Sequence, residues 1–296
     1  MPYLLLALAV LFWSGNFVIS RGMHAAIPPF TLAYWRWLTA LVVLLPLAAK
    51  YLGREQATVR RHLVYIGMQG VVGVAGFNTF IYLAMQTTTA INAALVNSSM
   101  PVLIAICSWI LYRETMTVRQ GLGVLISLTG VLRIISGGEL AQMLAMDFNR
   151  GDLLVLVASA LWAIYSANLK RYPQELHPLV YLTATVFVGV VVLTPLYLYE
   201  RGSGLGMELS FASVATIVYV ALFASVFAYL FWNRAVREVG ANRAGPFIYL
   251  MPVFSTILAV LFLGERIEGF HLQGILMISF GIFLTTFRVR ARRVVN

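Results

Sequence analysis

Apolar residues in this chain form long runs, and short polar segments separate one run from the next. Each run is close to the ~20 residues that an α-helix needs to cross the hydrocarbon core of a bilayer. The ten runs cover approximately residues 3–20, 30–49, 62–84, 91–112, 118–135, 151–170, 179–199, 211–233, 241–263 and 270–287. The pattern therefore predicts an all-α membrane protein with ten transmembrane helices.

Two of these runs share an unusual feature, a methionine–proline pair inside the apolar stretch. The pairs Met100-Pro101 and Met251-Pro252 lie 151 residues apart. Proline removes a backbone hydrogen bond and kinks a helix. In lipid, such a break is tolerated only where protein or a water-lined cavity covers the freed carbonyl group. The sequence thus predicts two helices that bend around one cavity and permit gating.

The same spacing recurs along almost the whole chain and indicates an internal repeat. At offsets of 149 or 151 residues, the matched pairs include Trp13 with Trp162, Asn78 with Tyr229, Tyr82 with Asn233, Gly123 with Gly274 and Gly130 with Gly281. Each half holds five predicted spans, and this odd number places the second half upside down relative to the first. Such an inverted repeat is a common plan for alternating-access carriers. We divide the chain into a first repeat (1–136), a linker (137–150), a second, inverted repeat (151–287) and a basic cytoplasmic tail (288–296).

Composition agrees with a membrane location. The chain is 60% hydrophobic and 11% charged, with a mean hydropathy of +0.86, whereas a soluble domain carries about a quarter charged residues. The net charge of +10 would ordinarily suggest nucleic-acid binding. Its distribution favours membrane orientation instead, because fifteen of the twenty-one Lys and Arg residues fall on one side when both termini share that side. The positive-inside rule therefore predicts cytoplasmic termini and no nucleic-acid partner.

Polar residues inside the spans are expected to face the interior of the bundle, because a polar group that faces hydrocarbon is costly. Aromatic faces with a few amide and hydroxyl groups suit an amphipathic, neutral ligand. The alternative, that these side chains only join neighbouring helices, is common in membranes. The predicted lining of a substrate cavity consists of Trp13, Asn16, Asn78, Tyr82, Asn97, Ser98, Trp162, Tyr165, Tyr229, Asn233 and Tyr249.

Charged and aromatic residues near the span ends receive simpler interpretations. Arg36 lies at the outer end of the second span, and the flanking Trp35 and Trp37 are interpreted as part of an aromatic belt at the membrane interface. Glu114 and Glu265 close the two kinked helices. We interpret them as carboxylates that favour the N-terminus of the following helix, and a gating salt bridge is the alternative.

Glycines recur along one face of the third span, at Gly67, Gly70, Gly73 and Gly76. Small residues allow two transmembrane helices to approach closely. We therefore predict close packing at this face, and a flexible gating helix is the alternative.

Several of these features together resemble a known family. The segment Trp13-Ser14-Gly15-Asn16, a buried arginine at Arg36, Pro101 followed by Glu114, and Pro252 followed by Gly264-Glu265 resemble the EamA family of the drug/metabolite transporter superfamily, over all ten spans. Within it the chain looks most like the YddG-type exporters of aromatic amino acids. The resemblance implies a ten-helix bundle in the bacterial inner membrane that exports small metabolites through a cavity between helices 1, 3, 4, 6, 8 and 9.

The absence of acidic residues from the span interiors limits the mechanism. Proton-coupled pumps usually place an ionisable group at membrane depth, so we expect transport that is driven by the substrate gradient. No acid/base pair or cluster of metal ligands can be assembled there either, and we expect neither an enzyme nor a cofactor or bound metal. The sequence favours an alternating-access exporter of neutral, aromatic or large apolar, amino acids, with a monomer as the default state.

Three alternatives stay open on the sequence alone. One is a broad-specificity drug or metabolite transporter of the same superfamily, with or without proton coupling. Another is a membrane-embedded enzyme, which would need a catalytic carboxylate or histidine at depth. The last is a structural membrane scaffold, which would not need kinked helices at matching positions.

Overall fold

The computed structural model describes residues 1–23, 26–88, 90–139, 149–263 and 267–286, and these form a bundle of helices without a β-strand. Glu265 and the basic tail fall outside the described residues, as does most of the predicted linker. Several helices change type partway, and we give each continuous stretch one label. The ten labels are α1 (Pro2–Met23), α2 (Pro29–Arg61), α3 (Leu63–Gln69, Gly70–Gly76 and Phe77–Ala84), α4 (Ala90–Asn97 and Met100–Tyr112), α5 (Val118–Ile135), α6 (Arg150–Asn168), α7 (Pro178–Gly202), α8 (Phe211–Tyr219, Val220–Phe227 and Ala228–Val239), α9 (Ala241–Ala244, Gly245–Tyr249 and Leu250–Leu263) and α10 (Gly269–Thr286).

Eight of these helices are long and apolar enough to cross a membrane within the described ranges. The apolar part of α1, Pro2–Asn16, is shorter, and α9 is assembled from three short pieces. Large apolar side chains such as Val42, Phe187 and Leu276 are exposed, as expected where a bundle faces lipid rather than water. That ten helices cross the membrane, as two repeats of five helices with the second repeat inverted, stays a prediction.

The second helix is longer than its apolar run. We predicted a span over 30–49, but α2 continues to Arg61. The added turns carry a structural contact, since Glu55 Oε2 accepts a hydrogen bond from the backbone N–H of His177, 2.8 Å away. His177 precedes the first residue of α7, so the end of α2 caps the start of α7.

The reverse contact is also present. Glu200, near the end of α7, accepts hydrogen bonds from the backbone N–H groups of Phe30 and Thr31, at 3.1 and 2.6 Å. These N–H groups belong to the first turn of α2, where they have no partner inside the helix. The two long helices α2 and α7 are thus clipped together at both ends by reciprocal carboxylates.

The other contacts come in matching pairs. Helix α1 packs on α8 and α9, whereas α6 packs on α3 and α4. Helix α5 packs along α10 through glycines: a Cβ atom on Gly123 would lie 2.5 Å from the Gly281 carbonyl oxygen, and one on Gly130 would lie 2.7 Å from that of Gly274. Since residue numbers rise along one helix as they fall along the other, α5 and α10 are antiparallel.

We name the two ends of the bundle after residues that lie there. At the Lys170 end, Lys170 forms an ion pair with Glu114, with 2.6 Å between Nζ and Oε1. At the Asp152 end, Asp152 caps the start of α6: its carboxylate accepts from the backbone N–H of Asn149 at 2.8 Å and from Asn92 Nδ2 at 3.1 Å. Helices α4 and α6 therefore both begin at the Asp152 end and finish at the Lys170 end.

Candidate functional site

A small cavity lies inside the bundle, on the Asp152 side of its centre. Its volume is about 30 Å³, and a molecule of liquid water occupies about as much. Side chains from α1, α2, α3, α4, α6 and α9 surround it. The lining residues are Trp13, Asn16, Arg36, Phe77, Asn78, Ile81, Tyr82, Asn97, Met100, Trp162, Ile248 and Met251. Small-molecule sites usually measure ~300–1,000 Å³, so these helices must separate before an organic solute can enter.

Aromatic rings close the side of the cavity that faces the Lys170 end. Trp13 and Trp162, which the repeat pairs, meet edge to face with ring centroids 5.0 Å apart. Trp232 lies 5.3 Å from Trp13, and Tyr229 lies 5.4 Å from Trp162. These edge-to-face and tilted arrangements are the ones that aromatic quadrupoles favour. The rings form a nearly solvent-free floor beneath the cavity.

The eleven residues predicted to line a site divide into two groups. The cavity is lined by Trp13, Asn16, Asn78, Tyr82, Asn97 and Trp162. The other five, Ser98, Tyr165, Tyr229, Asn233 and Tyr249, are buried but do not line it. The Ser98 hydroxyl donates to Leu95 O in its own helix. The Tyr249 hydroxyl has no hydrogen-bond partner among the described residues.

The two kink prolines lie beside this cavity. Helix α4 is interrupted at residues 98–99, just before Pro101, and α9 is a 3₁₀-helix over Gly245–Tyr249, just before Pro252. A proline cannot donate to the carbonyl four residues earlier. Those carbonyls belong to Asn97 and Ile248, and both residues line the cavity.

Arg36 is the site residue that the sequence interpretation missed. The resemblance implies a buried arginine, and Arg36 is 2% exposed, but we interpreted it as peripheral, whereas it lines the cavity. Its Nε donates to Ser225 Oγ at 2.6 Å, and its Nη1 donates to Asn78 Oδ1 at 2.8 Å and to Tyr82 OH at 2.9 Å. Its Nη2 donates to Ala224 O at 3.0 Å. These partners on α3 and α8 hold the guanidinium inside the bundle.

The neighbouring tryptophans also need correction. Trp37 is fully buried, with its ring 5.0 Å from that of Tyr229, so it does not belong to an interfacial belt. The Arg36 guanidinium lies 5.0 Å from the centroid of the Trp37 ring, close enough for a cation–π contact. Trp35 is partly buried and lies against Tyr34 and Tyr197.

Two π-helical segments supply backbone acceptors beside the cavity. They cover Gly70–Gly76 in α3 and Val220–Phe227 in α8. Gly73 O accepts from Tyr229 OH at 2.7 Å, and Ala224 O accepts from Trp13 Nε1 at 3.0 Å as well as from Arg36. Gly73 and Ala224 are 151 residues apart, the offset of the repeat. Single-turn π-helical insertions are frequent at functional sites.

The glycine face of α3 fits the packing interpretation. A Cβ atom on Gly73 would lie 2.1 Å from the Tyr165 ring, and one on Gly70 would lie 2.6 Å from Thr185 O. One on Gly67 would meet nothing within 4 Å. Helix α3 therefore needs glycine where it crosses α6 and α7.

Hydrogen bonds between α6 and α8 close the bundle towards the Lys170 end. Tyr165 OH donates to Asn233 Oδ1 at 2.8 Å, and Trp232 Nε1 donates to Ser166 Oγ at 3.1 Å. Beyond them lies a second cavity of about 180 Å³, whose wall includes both partners of the Lys170–Glu114 ion pair.

Glu114 does not have the role that we predicted for it. The start of α5 is capped by Thr117, whose Oγ1 accepts from the backbone N–H of Gln120 at 3.3 Å. Glu114 lies before that cap and contacts Lys170 instead.

A larger cavity lies elsewhere and is a groove on the surface. It measures about 690 Å³ and lies between α3, α4 and α6 near the Lys170 end. Its wall includes exposed apolar side chains such as Val64 and Ile110. A groove with such a wall suits lipid chains better than a polar solute, so the small central cavity is the candidate substrate site.

The described residues contain no group of three His, Cys, Asp or Glu side chains that could hold a metal ion. Two carboxylates are buried, those of Asp152 and Glu200, and both lie near helix ends, where they cap backbone N–H groups. The centre of the bundle thus offers aromatic rings, amides and one guanidinium.

A bundle of apolar helices around a small polar cavity defines a membrane transporter, and sequence comparison specifies which kind. The EamA-like transporter family matches residues 1–136 and again 149–287. The chain belongs to this family.

Individual relatives agree with this assignment. An uncharacterized transporter from Archaeoglobus fulgidus is 31% identical over 96% of both chains. Uncharacterized transporter YyaM from Bacillus subtilis is 26% identical over 97% of this chain and 94% of that protein. A Salmonella typhimurium protein described as a probable amino-acid metabolite efflux pump is 25% identical over 97% of this chain and 95% of its own length. A solved crystal structure has the same fold, with a TM-score of 0.78, 19% identity and 96% coverage of both chains.

Proposed function

We propose that this transporter exports neutral amino acids, especially those with aromatic or large apolar side chains, by alternating access. The observation that carries the proposal is the composition of the central cavity. Its wall combines the rings of Trp13 and Trp162 with the amides of Asn16, Asn78 and Asn97. An amphipathic zwitterion needs an apolar surface together with a few polar groups.

The name of the Salmonella relative supports the same class of cargo. A YddG-like preference for aromatic amino acids is the narrower form of the proposal. It rests on the tryptophans that form one side of the cavity.

Alternating access rests on the matching contacts of the two halves. Helices α5 and α10 occupy corresponding places in the sequence repeat and are antiparallel. Helices α2 and α7 cap each other, and the two π-helical segments recur at matching positions. These features support two inverted five-helix repeats with the substrate site between them.

The charge distribution supports a cytoplasmic Lys170 end in the bacterial inner membrane. Arg61, Arg171 and Arg237 all lie near this end, which the positive-inside rule places in the cytoplasm. Reporter domains fused after Asn296 and inserted at Gln174, in the loop between α6 and α7, test the orientation. Both should report a cytoplasmic position, and an external signal from either would refute it.

The energy source proposed is the substrate gradient. Asp152 and Glu200 are buried, but each already accepts hydrogen bonds that cap a helix. This structural role accounts for their burial without proton transport.

Purified protein in liposomes tests the proposal. Vesicles are loaded with labelled phenylalanine, tryptophan, leucine, glutamate or lysine, and efflux is followed with and without an imposed pH gradient. We expect efflux of the neutral amino acids, fastest for the aromatic ones, with no dependence on the pH gradient. Uptake against a gradient that stops when an uncoupler is added would instead indicate a proton-coupled carrier. Flux of unrelated drugs but not amino acids would indicate a broad-specificity transporter.

A further inference from the structure

We propose that Arg36 is a carboxylate-binding residue, so that the central cavity takes a ligand with a single carboxylate next to an apolar group. The inference rests on the proposed transport function, which it narrows to a chemical class of substrate. It concerns only the part of the site that would bind the carboxylate, and it can be tested independently of which amino acid is transported.

The first argument is the missing countercharge. Arg36 is 2% exposed, and arginine does not lose its proton in proteins. Arg36 forms no ion pair with a carboxylate among the described residues, where Lys170 pairs with Glu114 and Arg234 with Glu238. A buried, unpaired charge is strongly unfavourable. An anionic ligand at the cavity would remove that cost.

The second argument is the geometry of the guanidinium. Its hydrogen bonds go to Ser225 Oγ, Asn78 Oδ1, Tyr82 OH and Ala224 O, all neutral groups. These four bonds use four of the five N–H groups of an arginine. They hold the side chain at the cavity wall, in advance of ligand binding, and leave one N–H group at Nη2 available. Fixing a donor before binding lowers the entropic cost of recognition.

The third argument is a second donor at the same wall. Trp162 also lines the cavity, and its Nε1 has no acceptor among the described residues although it is buried. An indole N–H can only donate. Arg36 and Trp162 therefore both offer hydrogens, and a carboxylate offers only acceptors.

The rest of the wall suits the remainder of such a ligand. The amide oxygen of Asn97 accepts from Ser159 Oγ at 3.4 Å and keeps a second lone pair for an ammonium group, and Phe77, Met100 and Ile248 provide apolar surface. A single guanidinium balances one carboxylate. A phosphate ester carries about −1.5 to −2 charges near neutral pH, which the one arginine of this wall would leave in excess.

The test is a set of ligand pairs that differ in the carboxylate. Thermal unfolding of the full-length protein in detergent is measured with L-phenylalanine against L-phenylalaninamide, L-leucine against L-leucinamide, and 3-phenylpropionate against phenethylamine. A ligand that binds the folded state raises the melting temperature in a concentration-dependent way. We expect stabilisation by the carboxylate member of the pairs, with apparent affinities at least about 30-fold above those of the partner.

Variants connect the effect to Arg36. Arg36→Gln removes the charge and should abolish the preference for 3-phenylpropionate over phenethylamine, whereas Arg36→Lys should retain part of it. Arg201→Gln is the matched control, because Arg201 is exposed and contacts Tyr197, and it should behave like the wild type. A purely structural role of Arg36 would lower the melting temperature without changing the preference between ligands. If Arg36→Gln does not fold, the ligand pairs on the wild-type protein decide alone.

The outcomes separate this inference from the proposed function. Binding and efflux of phenylalanine with equal affinity for its amide would overturn the role of Arg36 and leave amino-acid export standing. Binding of 3-phenylpropionate but not of phenylalanine would support Arg36 and refute amino-acid export. Stabilisation by none of the carboxylates would overturn the inference.

Discussion

The two ends of the bundle use matching residues in different ways. Towards the Lys170 end, Tyr165 of α6 and Asn233 of α8 are joined by a 2.8 Å hydrogen bond. Their repeat partners are Asn16 of α1 and Tyr82 of α3, at offsets of 149 and 151, and both line the cavity towards the Asp152 end. Each asparagine in one half thus corresponds to a tyrosine in the other half. One pair closes a path, and the other borders an open space.

This difference shows that the halves do not have the same conformation. If the proposed inverted repeat holds, the opposite state of the transporter follows from exchanging the two conformations. In that state the bond between Tyr165 and Asn233 would be broken, and the Lys170 end would open. Substitutions at the two ends of the bundle should therefore have different effects.

The largest effect is expected at the crossing of α3 and α6. Gly73→Ala places a Cβ atom 2.1 Å from the ring of Tyr165, which is buried and held by Asn233. Overpacking of this kind costs about 1–3 kcal/mol, and the melting temperature should fall by about 3–9 °C. Gly67→Ala is the matched control, since nothing lies within 4 Å of its Cβ position. Equal melting temperatures for the two variants would contradict the packing.

An effect of similar or slightly smaller size is expected from the bond that closes the Lys170 end. Tyr165→Phe removes the hydroxyl and leaves Asn233 with an unmet acceptor, at a cost of about 1–3 kcal/mol. The Lys170 end should then open more often. Alkylation of Ala167→Cys in a Cys107→Ala background measures this, because Ala167 is buried and lines the cavity at that end without a side-chain hydrogen bond of its own.

Tyr82→Phe is the control at the other end of the bundle. It removes the matching hydroxyl towards the Asp152 end, so the same cysteine should label no faster than in the parent. Faster labelling in Tyr82→Phe than in Tyr165→Phe would contradict the claim that the Tyr165–Asn233 bond closes the Lys170 end.

The kink prolines should have a moderate effect. Alanine at position 101 or 252 restores a backbone donor and favours a straight helix. Each variant should melt at a higher temperature and transport more slowly, with an added barrier of about 1 kcal/mol slowing transport about fivefold. Efflux from liposomes measures the rate. Wild-type rates in both variants would show that Pro101 and Pro252 serve packing only.

The smallest effect is expected for the ion pair at the Lys170 end. The side chains of Lys170 and Glu114 are 48% and 37% exposed, and exposed pairs contribute about 0–1 kcal/mol. Glu114→Gln should change efflux less than about threefold and should make it less sensitive to salt. A loss of transport in this variant would mean that the ion pair is a gate in its own right.

Much of the fold could be predicted because it depends on local composition. Apolar runs long enough for a bilayer give the helices, and Pro101 and Pro252 mark the interruptions in α4 and α9, since a missing N–H group acts within its own helix. The repeat offset also pointed to Trp13 and Trp162, which meet at the centre.

The rest depends on contacts that are distant in sequence. Arg36 looked peripheral because it lies only seven residues after the start of α2, yet its partner Ser225 is 189 residues away. Tyr165 and Asn233 were both identified as site residues. The spacing of residues along a helix predicts which side of the helix they share, but it does not predict which residue of another helix they bond to. The π-helical segment in α8 contains no proline or glycine from which it could have been predicted.

The reciprocal carboxylates of α2 and α7 have a consequence for how the protein is made. The N–H groups of Phe30 and Thr31 emerge from the ribosome early, and Glu200, which accepts from both, is synthesised about 170 residues later. An unsatisfied N–H group costs several kcal/mol in lipid, so we expect the start of α2 to stay at the water interface until α7 has been inserted. A chain that ended at residue 136 would lack this acceptor. We therefore expect α2 to reach its final position only after the second five helices have been made.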